Sequence, residues 1–217
     1  MSWQLRLYED RLEPGAAASL PAGNRVIYVA AGAASVDGAK VPEDGAWFGA
    51  GAAAVAAGGD GATLWRFELC RADAAPVAPA GGGVSPDLKL SADITTLDPG
   101  DGRQWLMRCD SVAFPPGGCA YTHTHQGPGI RCLRDGAIRI DAEGASHHYA
   151  PGEAWFEAGP DPVFAQADAE LPTRFIRAMI LPRALKGQGS IRYVRDADRD
   201  KPKSQQYRGY VDEFIEV

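Results

Sequence analysis

Helical periodicity is the first thing this chain is short of. No stretch keeps apolar residues at a spacing of three and four; the nearest, the alanine-rich run from Ala50 to Ala57, is broken by glycines. Long hydrophobic runs are missing too. None approaches the roughly eighteen apolar residues of a membrane span, and Met1-Ser2-Trp3-Gln4-Leu5-Arg6 has no apolar core of signal-peptide length. These absences predict a cytoplasmic protein with no membrane partner. Cysteine is sparse: Cys70, Cys109, Cys119 and Cys132 form no CxxC pair, which argues against a zinc ribbon or a disulfide scaffold and suits a reducing compartment. Excess positive charge is absent as well. A net charge of −6 gives no basis for nucleic-acid binding, which rests on clustered Lys and Arg. The one basic stretch, Arg183 to Arg208, has eight positive and three negative charges and few aromatics, and reads as a solvated tail. No Gly-rich phosphate loop, nucleophile elbow or kinase-type signature occurs.

What is present points to strands. Among 217 residues, 26 are Gly and 16 are Pro, a composition suited to many short strands joined by turns. Runs rich in β-branched and aromatic residues recur: Arg25 to Val29, Thr63 to Phe67, Gln104 to Met107, Ile130 to Leu133, Ala137 to Ile140 and Thr173 to Ile176. The fold class is all-β. The composition divides the chain into a first module over 1–71, an Ala-, Pro- and Gly-rich linker or crossover over 72–93, a second module over 94–182, and a charged tail over 183–217.

The two modules are related. Gly45-Ala46-Trp47-Phe48-Gly49-Ala50-Gly51 matches Glu153-Ala154-Trp155-Phe156-Glu157-Ala158-Gly159 at five of seven positions. Upstream, Val26 to Ala33 aligns without gaps on Ile130 to Ala137; the two offsets are 108 and 104 residues, so the intervening hairpins differ by four.

Histidine is confined to the second module, at His123, His125, His147 and His148. In Tyr121-Thr122-His123-Thr124-His125 the two imidazoles stand two residues apart, so on a strand they share a face and can chelate one ion. His147 and His148 are adjacent, so at most one of them can face inward.

His123-Thr124-His125, then Gly136, then Pro151-Gly152-Glu153-Ala154-Trp155-Phe156 resembles the two signature motifs of the cupin superfamily. The resemblance covers roughly residues 115 to 180, with a weaker copy over 18 to 70. It implies a jelly-roll (double-stranded β-helix) barrel, duplicated as a bicupin with a degenerate N-terminal module, and a homodimer by analogy. It also implies a divalent metal (iron, manganese, nickel or zinc) on His123 and His125. The family's glutamate slot is occupied by Gly129 and its last histidine slot by Val163, so replacement ligands are needed. His147, His148, Glu157 and Gln126 are on offer, His147 foremost.

If Gly129 faces inward, alternation turns Arg131 inward too, and a buried guanidinium requires an anionic partner. That partner is either an internal carboxylate such as Glu157 or the carboxylate or phosphate of a bound substrate, which a guanidinium fork binds bidentately. In the first module Ser19, Pro21, Ile27 and Gly49 stand where the second has His123, His125, Arg131 and Glu157. The expected function is a cupin-type small-molecule enzyme of the dioxygenase, isomerase or decarboxylase class. It would act on a small, acidic substrate, with Arg131 as anchor and Gln126 or Glu157 as hydrogen-bond partner or base. A metal-free enzyme with a histidine base, a non-catalytic binding or sensor cupin and a purely structural barrel are the alternatives.

Overall fold

A computed structural model describes residues 2–97 and 104–217. The chain divides into two compact units, Met1–Asp98 and Pro99–Val217. Both are built of antiparallel strands; among the described residues, helix is limited to α1 (Asp196–Arg199) and a 3-10 turn at Arg183–Leu185.

The first unit holds β1 (Trp3–Leu12), β2 (Ala17–Leu20), β3 (Asn24–Val36), β4 (Ala39–Pro42), β5 (Ala46–Gly49), β6 (Ala53–Arg71), β7 (Ala80–Gly81) and β8 (Val84–Ile94). They form one sheet whose main path runs β4-β3-β6-β1-β8. The 19-residue β6 is its spine, pairing with β3 and β1 and, at its start, with β2. Two register shifts against β3, at Val29/Ala31 and Gly32/Ala34, bend the sheet around its apolar face. Gly32 is required at the second shift: its φ is +76°, and a Cβ there would lie 2.3 Å from the Gly61 carbonyl oxygen. The enclosed core includes Leu20, Ile27, Val29, Val55 and Leu64, with Trp47 against it.

The second unit holds β9 (Trp105–Phe114), β10 (Cys119–His125), β11 (Gly129–Asp135), β12 (Ile138–Ala142), β13 (Ala145–Tyr149), β14 (Ala154–Glu157), β15 (Val163–Ala167), β16 (Thr173–Pro182), β17 (Ile191–Tyr193) and β18 (Gln206–Ile215). One sheet has the order β14-β11-β16-β9-β18, the other β13-β12-β15-β10-β17. Val112, Phe114, Leu133, Trp155 and Phe175 from the first sheet meet Ala120, Ile138, Ile140, Ala165 and Ala167 from the second, so the core lies between the sheets.

The internal repeat survives in the pairing. Ile27 lies opposite Trp47 on β3 and β5, and Arg131 lies opposite Trp155 on β11 and β14. Strands also run through the segments that read as linker and tail. Residues 84–93 of the expected linker belong to β8, which pairs with β1 from Trp3↔Ile94 to Leu12↔Val84 at the edge of the first unit's sheet. The expected tail contains β17 and β18, which complete one sheet each through His123↔Tyr193 and Ile215↔Trp105. All three are edge strands, whose solvent face is polar and hides the alternation.

Candidate active site in the second unit

Strand β10 positions the histidines. Its alternation buries His123 and His125 and leaves Thr122 and Thr124 on the other face. The rings meet edge to face with centroids 4.8 Å apart, and the two Nε2 atoms are 3.2 Å apart. On the facing sheet, β11 and β14 place Arg131 and Glu157 in the same enclosed space. Arg131 is fully buried; its Nη1 donates to the Gly129 carbonyl at 2.6 Å and its Nη2 lies 2.7 Å from Glu157 Oε2. Glu157 Oε1 accepts from the Trp155 indole at 2.9 Å, and its Oε2 is 3.2 Å from His125 Nε2. Glu157 is therefore the anionic partner that a buried Arg131 requires.

The charges follow. Burial lowers the His123 pKa and pushes that of His125 down to about 3 against the pull of Glu157, so both rings are neutral near pH 7. Burial also lowers Arg131, to about 10, which still leaves it charged. Burial pushes the Glu157 carboxyl up, but the Arg131 guanidinium and the His125 hydrogen bond prevail and hold it well below the usual carboxylate range. The hydrogen bonds assign the tautomers. His123 Nδ1 donates to the Tyr121 carbonyl at 2.7 Å, which leaves its Nε2 as an acceptor 3.2 Å from His125 Nε2. His125 carries its proton on Nε2, facing Glu157 Oε2 and His123 Nε2; its buried Nδ1 has no partner among the described residues. The site is a neutral base pair beside a closed ion pair.

Comparisons with solved structures identify the architecture. A point variant of oxalate decarboxylase from Bacillus subtilis matches over 86% of this chain and 73% of that one, with a TM-score of 0.60 and 12% identity. The same enzyme at pH 4.6 matches over 86% and 72%, with a TM-score of 0.57 and 12% identity. A cupin 2 conserved barrel domain protein from Leptotrichia buccalis matches over 82% and 84%, at 14% identity and a TM-score of 0.49. Neither a protein-family model nor a curated protein sequence matches. The chain shares the fold of oxalate decarboxylase.

In this fold the residues singled out in the sequence do not all converge. His123, His125, Arg131 and Glu157 line one enclosed space, and Val163 lines it from β15. Gln126 turns away: its amide reaches the Gly189 carbonyl at 3.4 Å and its oxygen accepts from Arg192. His147 and His148 are exposed on β13, the outermost strand of its sheet, and do not reach the other two histidines. Gln126, expected as hydrogen-bond partner or base, and His147, expected as a ligand, do not line the enclosed space.

The donor set does not fit a divalent metal. Two nitrogens on one ion at about 2.0–2.1 Å stand about 3.0–3.4 Å apart, so the 3.2 Å separation agrees in length. The rest disagrees. Nε2 of His125 holds a proton, and its Nδ1 lacks the acceptor that a metal-bound imidazole uses. Glu157, the remaining candidate oxygen donor, is engaged by a guanidinium and an indole. Among the described residues no group of three or more His, Cys, Asp or Glu side chains is placed to hold a metal ion.

The sequence reading also missed two sets of residues. Arg177, directly opposite Arg131 on β16, and Asp110, directly opposite Arg177 on β9, bring a second buried ion pair to the site, with Nε–Oδ1 at 2.6 Å and Nη2–Oδ2 at 3.0 Å. Strand alternation was the available signal, since Phe175 and Arg177 share a face. The first unit, with apolar or small residues at the four aligned positions, buries its own charged cluster of Arg25, Arg66, Asp10 and Glu68 elsewhere.

Proposed function

We propose that this chain is a cupin-type enzyme that acts on a small organic acid in its second unit, with His123 as the proton acceptor. The observation that carries this reading is the pair of neutral imidazoles 3.2 Å apart, buried beside a fixed cation–anion pair. A neutral, desolvated histidine can accept a proton at Nε2, and imidazole is suited to general-base work near neutrality. His125, hydrogen-bonded to Glu157, orients the pair. Similarity to oxalate decarboxylase supports the choice of an acidic substrate, as a likeness of fold.

The test is a panel of small carboxylic acids offered to the protein, with binding followed by thermal shift and turnover by product analysis. Wild type should be stabilised by at least one acid, because ligands of the native state raise its melting temperature. His123→Ala should keep that stabilisation and lose turnover. If no acid shifts the melting temperature, the reading fails; if one does and nothing is turned over, the protein is a binding module.

The spacing of the two Nε2 atoms favours a second reading, in which a divalent ion binds the histidines after His125 moves its proton to Nδ1. Elemental analysis of untagged protein, before and after incubation with iron, manganese, nickel and zinc, decides it. About one ion per chain, lost in His123→Ala, would establish this second reading.

A further inference from the structure

The enclosed space around His123 and His125 measures about 20 Å³, room for a water molecule and for no substrate. Beside it lies a larger cleft of about 420 Å³, a size suited to a small organic ligand. Its walls are β9, β18 and the segment 187–191. Three residues line both spaces: Arg177, Ile191 and Tyr207. The partition between cleft and histidines is therefore made by three side chains, two of them from the part of the chain that reads as a tail in the sequence.

Arg177 is 5% exposed. Its Nε and Nη2 are committed to Asp110, but Nη1 has no partner among the described residues. Arg131, by contrast, is committed at Nη1 and Nη2 to Gly129 and Glu157. Arg177 lines the cleft, and a guanidinium N–H pair left over from its ion pair can donate there to an anion or to water. Tyr207, Tyr210, Ile191 and Val211 also line the cleft, as do Asp110 and the ion pair of Arg108 with Asp212 at 3.0 Å.

We propose that this cleft is a binding vestibule for small carboxylic acids carrying an apolar group. The idle Nη1 of Arg177 receives the carboxylate, the Tyr207 and Tyr210 side receives the apolar part, and Ile191 and Tyr207 separate it from the histidines. The inference deepens the proposed function and rests on it. It moves recognition of the substrate's charge from Arg131 to Arg177.

The experiment is calorimetric titration with benzoate, acetate and inorganic phosphate. Gly209 lies opposite Asp110 on β18, on the cleft side, and a Cβ at Gly209 or at Gly189 would meet no atom within 4 Å. Gly209→Leu and Gly189→Leu therefore add side-chain bulk at the cleft with space for the first carbon, and an unchanged melting temperature verifies folding. Wild type should bind benzoate more tightly than acetate or phosphate, and each filled variant should lose at least tenfold. Arg177→Lys keeps a cation for Asp110 and removes the idle N–H pair, and should lose a similar factor. If wild type binds but either filled variant or Arg177→Lys binds equally well, the vestibule is wrong and the proposed function stands. Tighter binding of phosphate would overturn the ligand class. If wild type binds no carboxylate by calorimetry or thermal shift, both readings fall together.

Discussion

The two units bury similar sets of charges and finish them differently. In the first, Arg66 reaches Asp10 through Nε at 2.6 Å, Glu68 through Nη1 at 2.8 Å, and the Val77 carbonyl through Nη2 at 3.0 Å. Arg25 engages Glu68, the Gly51 carbonyl and the Pro21 carbonyl with its three nitrogens. Two cations face two anions, and every guanidinium nitrogen lies within 3.0 Å of an oxygen. The second unit also sets two cations against two anions, yet leaves His125 Nδ1 and Arg177 Nη1 without partners among the described residues. Burial of charge therefore does not distinguish the units; leftover hydrogen-bonding capacity does. A saturated cluster holds a fold together, and an unsaturated one has something still to bind.

The strongest way to break this comparison is to open the closed cluster. Arg66→Met removes the cation shared by Asp10 and Glu68 and strands two buried carboxylates. It should cost about 3–5 kcal/mol, the range for breaking a buried pair on one side, read as a drop in the denaturant midpoint. A loss below about 1 kcal/mol would mean the cluster is not closed in the way described.

Acid sharpens the contrast by a smaller amount, because the first unit contains no histidine. In the unfolded chain His125 takes its proton near 6.5, and in the folded one only near 3. Between those values the unfolded state binds more protons, so stability is complete above 6.5 and falls as the pH drops toward 3. At about 1.4 kcal/mol per pH unit, His125 should cost roughly 2 kcal/mol by pH 5, with His123 adding in the same direction. Glu157, held below its ordinary range, adds a further loss of the same sign below its unfolded value of 4.5. Calorimetry at pH 7 and pH 5 checks this, and His125→Gln should flatten the dependence.

The segment that seals the first unit offers a third test. Ala74 and Val77 accept hydrogen bonds from Arg6 and Arg66, and the Val77 amide donates to the Tyr8 hydroxyl. Val77 also packs on the apolar core, where Val77→Ala should cost about 1 kcal/mol.

How much of this was legible in the sequence depended on which face of a strand was being read. Inward alternation revealed His123, His125 and Arg131, because a pair two apart on a β-run has one geometry. The repeat revealed Trp47 with Trp155 and Gly32 with Gly136; Gly136 also has a positive φ, and a Cβ there would come within 2.5 Å of the Pro172 carbonyl. Partner choice was not legible. Nothing in the spacing says that Glu157 closes on Arg131, or that Arg177 and Asp110 arrive from β16 and β9, since cross-strand register is fixed by the whole sheet. The edge strands β8, β17 and β18 were hidden for a related reason: with one face in solvent, Pro86, Asp87 and Lys89 look like linker, and Arg208 and Asp212 like tail.

The smallest expected effect separates the four histidines into two kinds. His147 and His148 stand exposed on β13, opposite Ile140 and Arg139, while His123 and His125 are buried on β10. Exposed substitutions away from networks change stability by less than about 0.5 kcal/mol, so His147→Ala should leave the melting temperature and the benzoate affinity as they are. A loss of benzoate affinity in His147→Ala would instead place the binding site on the sheet's outer edge. The cluster around Arg177 would then have no part in recognising the acid.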